Sequence, residues 1–486
     1  MMTPADTTTA QTGPARPLHS GVRPPRLTAS PGFVEHIGTG WGEMRTETGV
    51  QPEAAAAALR HRERLSAAFP GRTLVVASGS APVRNDDCSY EFRADSAFVW
   101  LTSCQAENAV LVLHPRFGGH DATLYLPPPF RPGEDGFFDD SDHGELWVGP
   151  QPGLAEWQND LGIDVRPRGE LSSRSWERAL GSAAAVRAGL DAQPSDDFDR
   201  VLSTLRMVKD EWEIAQLRQA VDATTEGFAA VAAEFANAVR PGLGERWLQG
   251  TFDRHARTFG NGPGYSTIVG SGAHAPVLHW SRCDGPLDPS ASVLLDMGVE
   301  ARTLYTADVT RALPVGGTFT DAERTVHDLV ERAHRAALAA VGPGALFSDF
   351  HHASMQVLAQ GLHDWGLLPV SVDEALSPEG QHHRRFICCS VGHHLGLDVH
   401  DCSRAHASDY SMGELAPDMV IAVEPGLYFH ANDLTVPPEL RGVGMRIEDD
   451  VLVTPDGNEV LSRALPIDAR GLEAWVRAQS VDNSGR

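Results

Sequence analysis

Five side chains spread over the C-terminal half of this sequence could hold metal: Asp296, Asp308, His393, Glu424 and Glu448. Each stands in a short segment that reads as strand or strand edge: Val-Leu-Leu-Asp296-Met-Gly, Tyr-Thr-Ala-Asp308-Val-Thr-Arg, Gly-His393-His394-Leu-Gly-Leu, Val-Glu424-Pro-Gly-Leu-Tyr and Met-Arg-Ile-Glu448-Asp-Asp. Four carboxylates and one imidazole suit hard or borderline divalent ions such as Mn, Co or Zn, and carboxylates can bridge two of them. A single carboxylate on a strand is ordinarily solvated or salt-bridged; the grouping is what carries weight. Asp296 follows Ser-Val-Leu-Leu, a run that should be buried, and a buried carboxylate must be neutralised by a proton, a cation or a metal. Glu448 leads into Asp449-Asp450-Val-Leu-Val, and so acid-dense a strand would repel itself without counterions. Two divalent ions supply them, and a two-metal hydrolase is the chemistry these residues suggest. His393 and His394 are adjacent, so both cannot face one site from an extended strand, and chemistry alone leaves the choice open. His400, in Asp398-Val-His400-Asp401, either reaches a substrate or is an ordinary core histidine.

Positioning such residues takes a mixed sheet flanked by helices, an α/β (α+β) architecture. Helical signals begin with the Ala-rich run at 52–69. Strand-like runs follow in Thr-Leu-Val-Val-Ala-Ser at 73–78, Ala-Phe-Val-Trp-Leu at 97–101, Ala-Val-Leu-Val-Leu at 109–113, Thr-Leu-Tyr-Leu at 123–126 and Glu-Leu-Trp-Val-Gly at 145–149. Strands alternating with helices predict an α/β domain over 46–200. A polar stretch at 192–199 then precedes a run of helical spacing at 206–239, which Pro241-Gly242 ends. Further helices are expected at 321–341 and 347–366, within a second domain over 201–475. Residues 1–45, rich in Thr, Pro, Gly and Ala, read as a flexible tail, and 476–486 as a C-terminal one.

A chain of 486 residues is too long for one ordinary core, and a 42% hydrophobic fraction is ample for two. The formal charge of −25 disfavours nucleic acid and anionic membrane, both of which need a positive field. No stretch approaches the roughly 20 apolar residues of a membrane helix, and the first residues lack the pattern of a secretory signal. A cytoplasmic protein is the expectation. The six cysteines form no Cys-x-x-Cys and read as reduced thiols.

Several ordered stretches resemble the aminopeptidase P and prolidase family, metallopeptidases of the pita-bread fold that cleave beside proline: YSTIVGSGAHAPVLHW, LLDMGVE, YTADVTRALPVGGTFT, HLGLDVHD, VEPGLYF and RGVGMRIEDDVLVT. With the segment around RMVKDEWEIAQLRQA they span about 200 to 465, and the N-terminal RNDDCSYEFRADSAFVWLTSCQAENAVLVL and ELWVGP resemble the aminopeptidase P branch, with its creatinase-like N-terminal domain. The resemblance implies a dinuclear Xaa-Pro aminopeptidase in which Asp308 and Glu448 bridge two ions. Asp296 completes one ion's ligands, and His393 and Glu424 the other's. It selects His393 over His394, and implies that a metal-bridging hydroxide attacks the scissile carbonyl. By the same resemblance Glu424 is the general base. His279 and His400 face substrate, and Arg446 holds an acidic ligand in place. In the N-terminal domain, Asp87 resembles a residue that reaches a neighbouring subunit's site, and Trp147 an aromatic that helps form the proline pocket. A homo-oligomer, dimer or tetramer, is therefore expected. Mn(II) is the expected ion, with Co, Zn and Fe as alternatives that the same ligands accept.

The sequence departs from the family beside the ligand His. Cys389 stands where members commonly carry a His, and His394 where an apolar residue is usual. Cysteine is a poor hydrogen-bonding replacement for an imidazole. These changes keep a second reading open, a pathway-specific metal enzyme, with iron as its ion, acting on one small substrate. A third, a metal-free binding protein, is disfavoured by the intact ligand set.

Overall fold

The computed structural model describes residues 29–42, 44, 46–85, 88–171 and 179–481. The chain divides between Ser195 and Asp196 into two compact units. The first is built on a six-stranded sheet of β1 (Leu74–Ala77), β2 (Val110–Arg116), β3 (Gly119–Leu126), β4 (Asp164–Pro167), β5 (Leu180–Gly181) and β6 (Gln193–Pro194), in the order β4-β3-β2-β1-β5-β6. Central β1 is buried along its length, which accounts for its unbroken apolar Leu-Val-Val-Ala. It pairs antiparallel with β2 and parallel with β5, so this sheet is mixed.

Helices of this unit correct three expectations. Residues 29–42 are not loose: Ser30 caps a first helix, α1 (Pro31–Ile37), and Phe33 and Trp41 pack edge-to-face on Phe138 and Phe137. Residues 1–28 lie outside the described residues. After α2 (Pro52–Ala68), the run Ala-Phe-Val-Trp-Leu forms not a strand but the middle of α3 (Ser96–Thr102). The Asp95 carboxylate accepts from the N–H groups of Ala97 and Phe98 at 3.1 and 3.3 Å, starting the helix. All seven residues of α3 are buried, so it shows no polar face by which its period could be read. Glu-Leu-Trp-Val is likewise a single helical turn, α4 (Glu145–Val148), too short for a period to decide.

The second unit begins with α5 (Asp196–Met207) and α6 (Glu211–Ala232), which divide the run at 206–239. Asp210 caps α6 in a reciprocal box with Glu213. There follow α7 (Gly244–Phe259), β7 (Ile268–Ser271), β8 (Ser292–Met297), β9 (Val309–Pro314), α8 (Asp321–Ala340), α9 (Phe347–Asp364), β10 (Val420–Val423), β11 (Gly426–Tyr428), β12 (Gly444–Arg446), β13 (Asp449–Thr454), β14 (Gly457–Val460) and α10 (Ala469–Val481). The sheets are β7-β8-β9, β10-β13-β14, β11-β12 and a short ladder of Val299–Glu300 with Gly262–Pro263, antiparallel throughout, where the sequence suggested a mixed sheet. Residues 476–481 continue α10 with Val476 buried, so no described residue there is a tail. Strands and helices bury one large apolar core, with Phe228, Phe252, Leu294, Phe350 and Val451 among its members. Among the described residues no helix is long and apolar enough to cross a membrane.

Candidate metal centre

Strand register assembles the acidic residues. Asp296 near the end of β8 pairs with Thr310 of β9, and an isolated bridge pairs Thr310 with Glu448. Asp296, Thr310 and Glu448 therefore stand in one row, Glu448 joining it at the break between β12 and β13. Asp308 lies two residues before Thr310, so the pleat turns both toward the same face. From the other side, the Ala422 N–H donates to His393 O and the Glu424 N–H to Val391 O, both at 2.9 Å, which lays 391–394 along β10.

Asp308, His393 and Glu448 each present one donor atom, and these atoms all lie within 4.8 Å of one another. His393 Nε2 is 3.3 Å from Asp308 Oδ2 and 3.8 Å from Glu424 Oε1, so Glu424 stands at the edge of the cluster. Asp296 is turned to other partners: Arg446 Nη2 donates to its Oδ2 at 2.5 Å and the Tyr265 hydroxyl to its Oδ1 at 2.6 Å. Four carboxylates facing one guanidinium leave an excess of buried negative charge. Burial, opposed by Arg446 and reinforced by Asp308, raises the Asp296 carboxyl to about 6. Burial also raises Glu424 to about 7 against the pull of His393 and Arg446, and burial with three neighbouring carboxylates holds Glu448 well above its ordinary range. For His393, burial is outweighed by the hydrogen bond and charge of Asp308, and the imidazole rises to about 9. Burial leaves these carboxylates short of compensating positive charge, and the oxygen-rich donor set with one imidazole fits divalent metal.

The sequence from 215 to 455 matches the model of metallopeptidase family M24, and that from 58 to 206 the aminopeptidase P N-terminal domain. Xaa-Pro aminopeptidase 2 of Streptomyces coelicolor is 46% identical over 449 residues, covering 90% of this chain and 94% of the relative. The chain belongs to metallopeptidase family M24. Xaa-Pro aminopeptidase of Escherichia coli is 30% identical over 439 residues, 84% of this chain and 94% of that one. The fold agrees with solved M24 structures: aminopeptidase P from E. coli in its low pH form, and its zinc-substituted form in complex with product, both superpose with a TM-score of 0.76 at 28% identity. Each covers 87% of this chain and 98% of theirs. The second unit is thus the pita-bread domain of an M24 metallopeptidase.

The other candidate residues of this M24 chain fall in different places. His400 packs edge-on against His393 with ring centroids 4.5 Å apart, and both it and His279 are open to solvent. Burial lowers the His400 imidazole, and His393 and His279 lie close enough for their charge to lower it further, offset in part by Asp308. Arg446 is buried and joins Asp296, Thr310 and the Tyr428 hydroxyl, within 4.0 Å of Glu448. His394 turns the other way, fully buried between Phe347 and Tyr410, and burial lowers its imidazole to about 3. It adds no donor to the cluster. Cys389 is open to solvent, and loss of hydration at the sulfur, with the Glu424 charge, raises its thiol to about 11. Trp147 lies in the first unit, 63% exposed, its indole donating to Phe138 O at 2.7 Å. Asp87 lies outside the described residues.

Three supporting residues escaped sequence reasoning. Thr310 donates to Glu448 Oε2 at 2.6 Å, Tyr265 donates to Asp296, and Asp450 accepts the Asp308 N–H at 3.1 Å. The two-residue spacing from Asp308 could have exposed Thr310. Nothing local marks Tyr265, whose partner is 31 positions away.

Proposed function

We propose that this chain is a metal-dependent aminopeptidase that hydrolyses the bond between an N-terminal residue and a following proline, with two divalent ions held by Asp296, Asp308, His393, Glu424 and Glu448. The observation that carries this reading is the donor cluster of Asp308, His393 and Glu448 in a chain so similar to Xaa-Pro aminopeptidases along its length. Divalent ions bound there supply Lewis acidity toward the scissile carbonyl and activate water near neutral pH. Glu424, its carboxyl near 7 before metal enters, takes a proton and passes it to the leaving proline nitrogen. His279 and His400, open to solvent, donate hydrogen bonds to the peptide and to the oxygen on which charge develops. Arg446 and Tyr265 keep Asp296 oriented.

Mn(II) is our proposed ion; Co, Zn and Fe suit the same donors. Residues 46–200 serve oligomerisation and substrate access, and Asp87 and Trp147 contact substrate in a dimer or tetramer. All six cysteines are free thiols, which suits a cytoplasmic location. The test is a panel of Xaa-Pro peptides given to Mn-loaded protein, with release of the N-terminal residue followed by mass spectrometry. Release from peptides with proline second, and not from alanine counterparts, is expected; no release overturns the proposal. Sedimentation as a monomer removes the role given to Asp87.

A further inference from the structure

The segment 392–402 carries both His393 and His400 yet has little regular structure, and its only bridge, among the described residues, joins His394 to Ile421. Hydrogen bonds along β10 fix its beginning, and toward His400 the fixing falls to the next residue, Asp401. The Asp401 N–H donates to His394 O at 2.9 Å, folding the segment back on itself. Its carboxylate, 2% exposed, accepts from Arg206 Nη2 and lies 3.4 Å from Lys209 Nζ. Arg206 reaches Asp398 Oδ2 as well, at 2.9 Å, and the Cys402 thiol donates to Asp401 Oδ2 at 3.3 Å. Two acids and two cations thus balance under the segment. A methyl group at Gly396 would lie 2.2 Å from Asp401 Oδ2 and 3.2 Å from Lys209 Cε, so the carboxylate and the lysine fill the space that this glycine leaves. The Thr306 N–H donates to Gly396 O at 3.0 Å, tying the clamp to the strand entry that holds Asp308.

Lys209 is the only lysine in the sequence, every other long basic side chain being Arg. It is also almost completely buried. Withdrawing an ammonium from water for the sake of stability alone is a poor bargain, since well-packed apolar groups do as well, whereas a buried ion pair fixes one arrangement. A compact ammonium also fits a space too tight for the planar guanidinium fork.

We propose that Asp401, held by Arg206 at the end of α5 and by Lys209 just beyond it, is a positioning residue that sets His400 against His393 for the reaction. The inference rests on the aminopeptidase reading, in which His400 meets substrate. The Asp401→Asn variant keeps its metal content, loses kcat by about 10 to 100-fold and holds KM within about twofold. In a His400→Ala background the same substitution has less than about twofold further effect, because the imidazole it positions is gone. An equal loss in both backgrounds, or loss of metal with activity, overturns the proposal. A second measurement needs no variant at the clamp: protein grown with 13C,15N-lysine gives one side-chain signal, from Lys209. A proline-containing product dipeptide shifts that signal in the wild type and not in His400→Ala; an unshifted wild-type signal overturns the proposal. If the wild type hydrolyses no Xaa-Pro peptide, the aminopeptidase reading itself fails, an outcome separate from an additive mutant cycle.

Discussion

At Asp296 the two carboxylate oxygens are held by different donors, Arg446 on one side and Tyr265 on the other, so the side chain is oriented before any ion arrives. Removing the hydroxyl with Tyr265→Phe deletes a hydrogen bond to a charged group, a loss of about 1.5–3 kcal/mol in stability for the metal-free protein. Because that bond also aims a proposed ligand, metal affinity should fall by about 10 to 100-fold, which titration against a competing chelator measures. Glu424 poses a different question, since it stands at the edge of the donor cluster and is the proposed general base. Glu424→Gln preserves shape and removes the proposed base. We expect kcat to fall on the order of 10² to 10⁴-fold, and metal analysis of the same sample separates lost proton transfer from lost ions. Cys389 and His394, neighbours of His393 in sequence, part company in space. His394 is sealed among aromatic rings, and only Cys389 is open to solvent beside Glu424.

β8 and β9 belong to a hairpin that turns at 301–305, where the Ala301 N–H donates to Tyr305 O at 2.8 Å; Asp296 and Asp308 stand on its opposite arms, with Gly298 two residues beyond Asp296. A Cβ on Gly298 would lie 1.8 Å from the Ala307 carbonyl oxygen and 2.8 Å from the Tyr265 ring. Neither a backbone oxygen nor a half-buried ring whose hydroxyl is tied to Asp296 can step aside cheaply, so Gly298→Ala pushes the two acidic segments apart. A loss of about 1–3 kcal/mol from overpacking is expected, with metal uptake weakened at the same time; denaturant melts with and without Mn check both. If the variant binds metal as the wild type does, hairpin spacing does not set the site. The same element shows where local pattern sufficed. Ser-Val-Leu-Leu before Asp296 reads as a buried strand and is one, with neighbours on both sides. The equally apolar Ala-Phe-Val-Trp-Leu is a helix, because full burial leaves no alternation to read and the Asp95 cap decides.

Across the whole molecule the charge of the site ties folding to pH. The Asp296 and Glu424 carboxyls are raised to about 6 and 7, and the His393 imidazole to about 9, so the folded metal-free chain binds protons more tightly than the unfolded chain. Stability from these groups is complete below their unfolded values and is lost as pH rises through the folded ones. The metal-free protein should therefore lose on the order of a few kcal/mol between about pH 5 and pH 8. Ions replace the protons, so the stabilisation by added Mn grows over the same range. Melting temperatures of chelated and Mn-loaded samples against pH test this, and a flat chelated profile counts against it. By itself the sequence determined which residue types were available, that Asp296 would be buried, and, through its ordered motifs, the family and its fold. Tertiary structure alone decided that Asp296, Thr310 and Glu448 share a row, that Tyr265 reaches Asp296, and that Lys209 lies beneath Asp401. The reason is physical: burial and alternation are written in neighbouring residues, whereas a contact between positions 209 and 401 exists only once the core between them has packed.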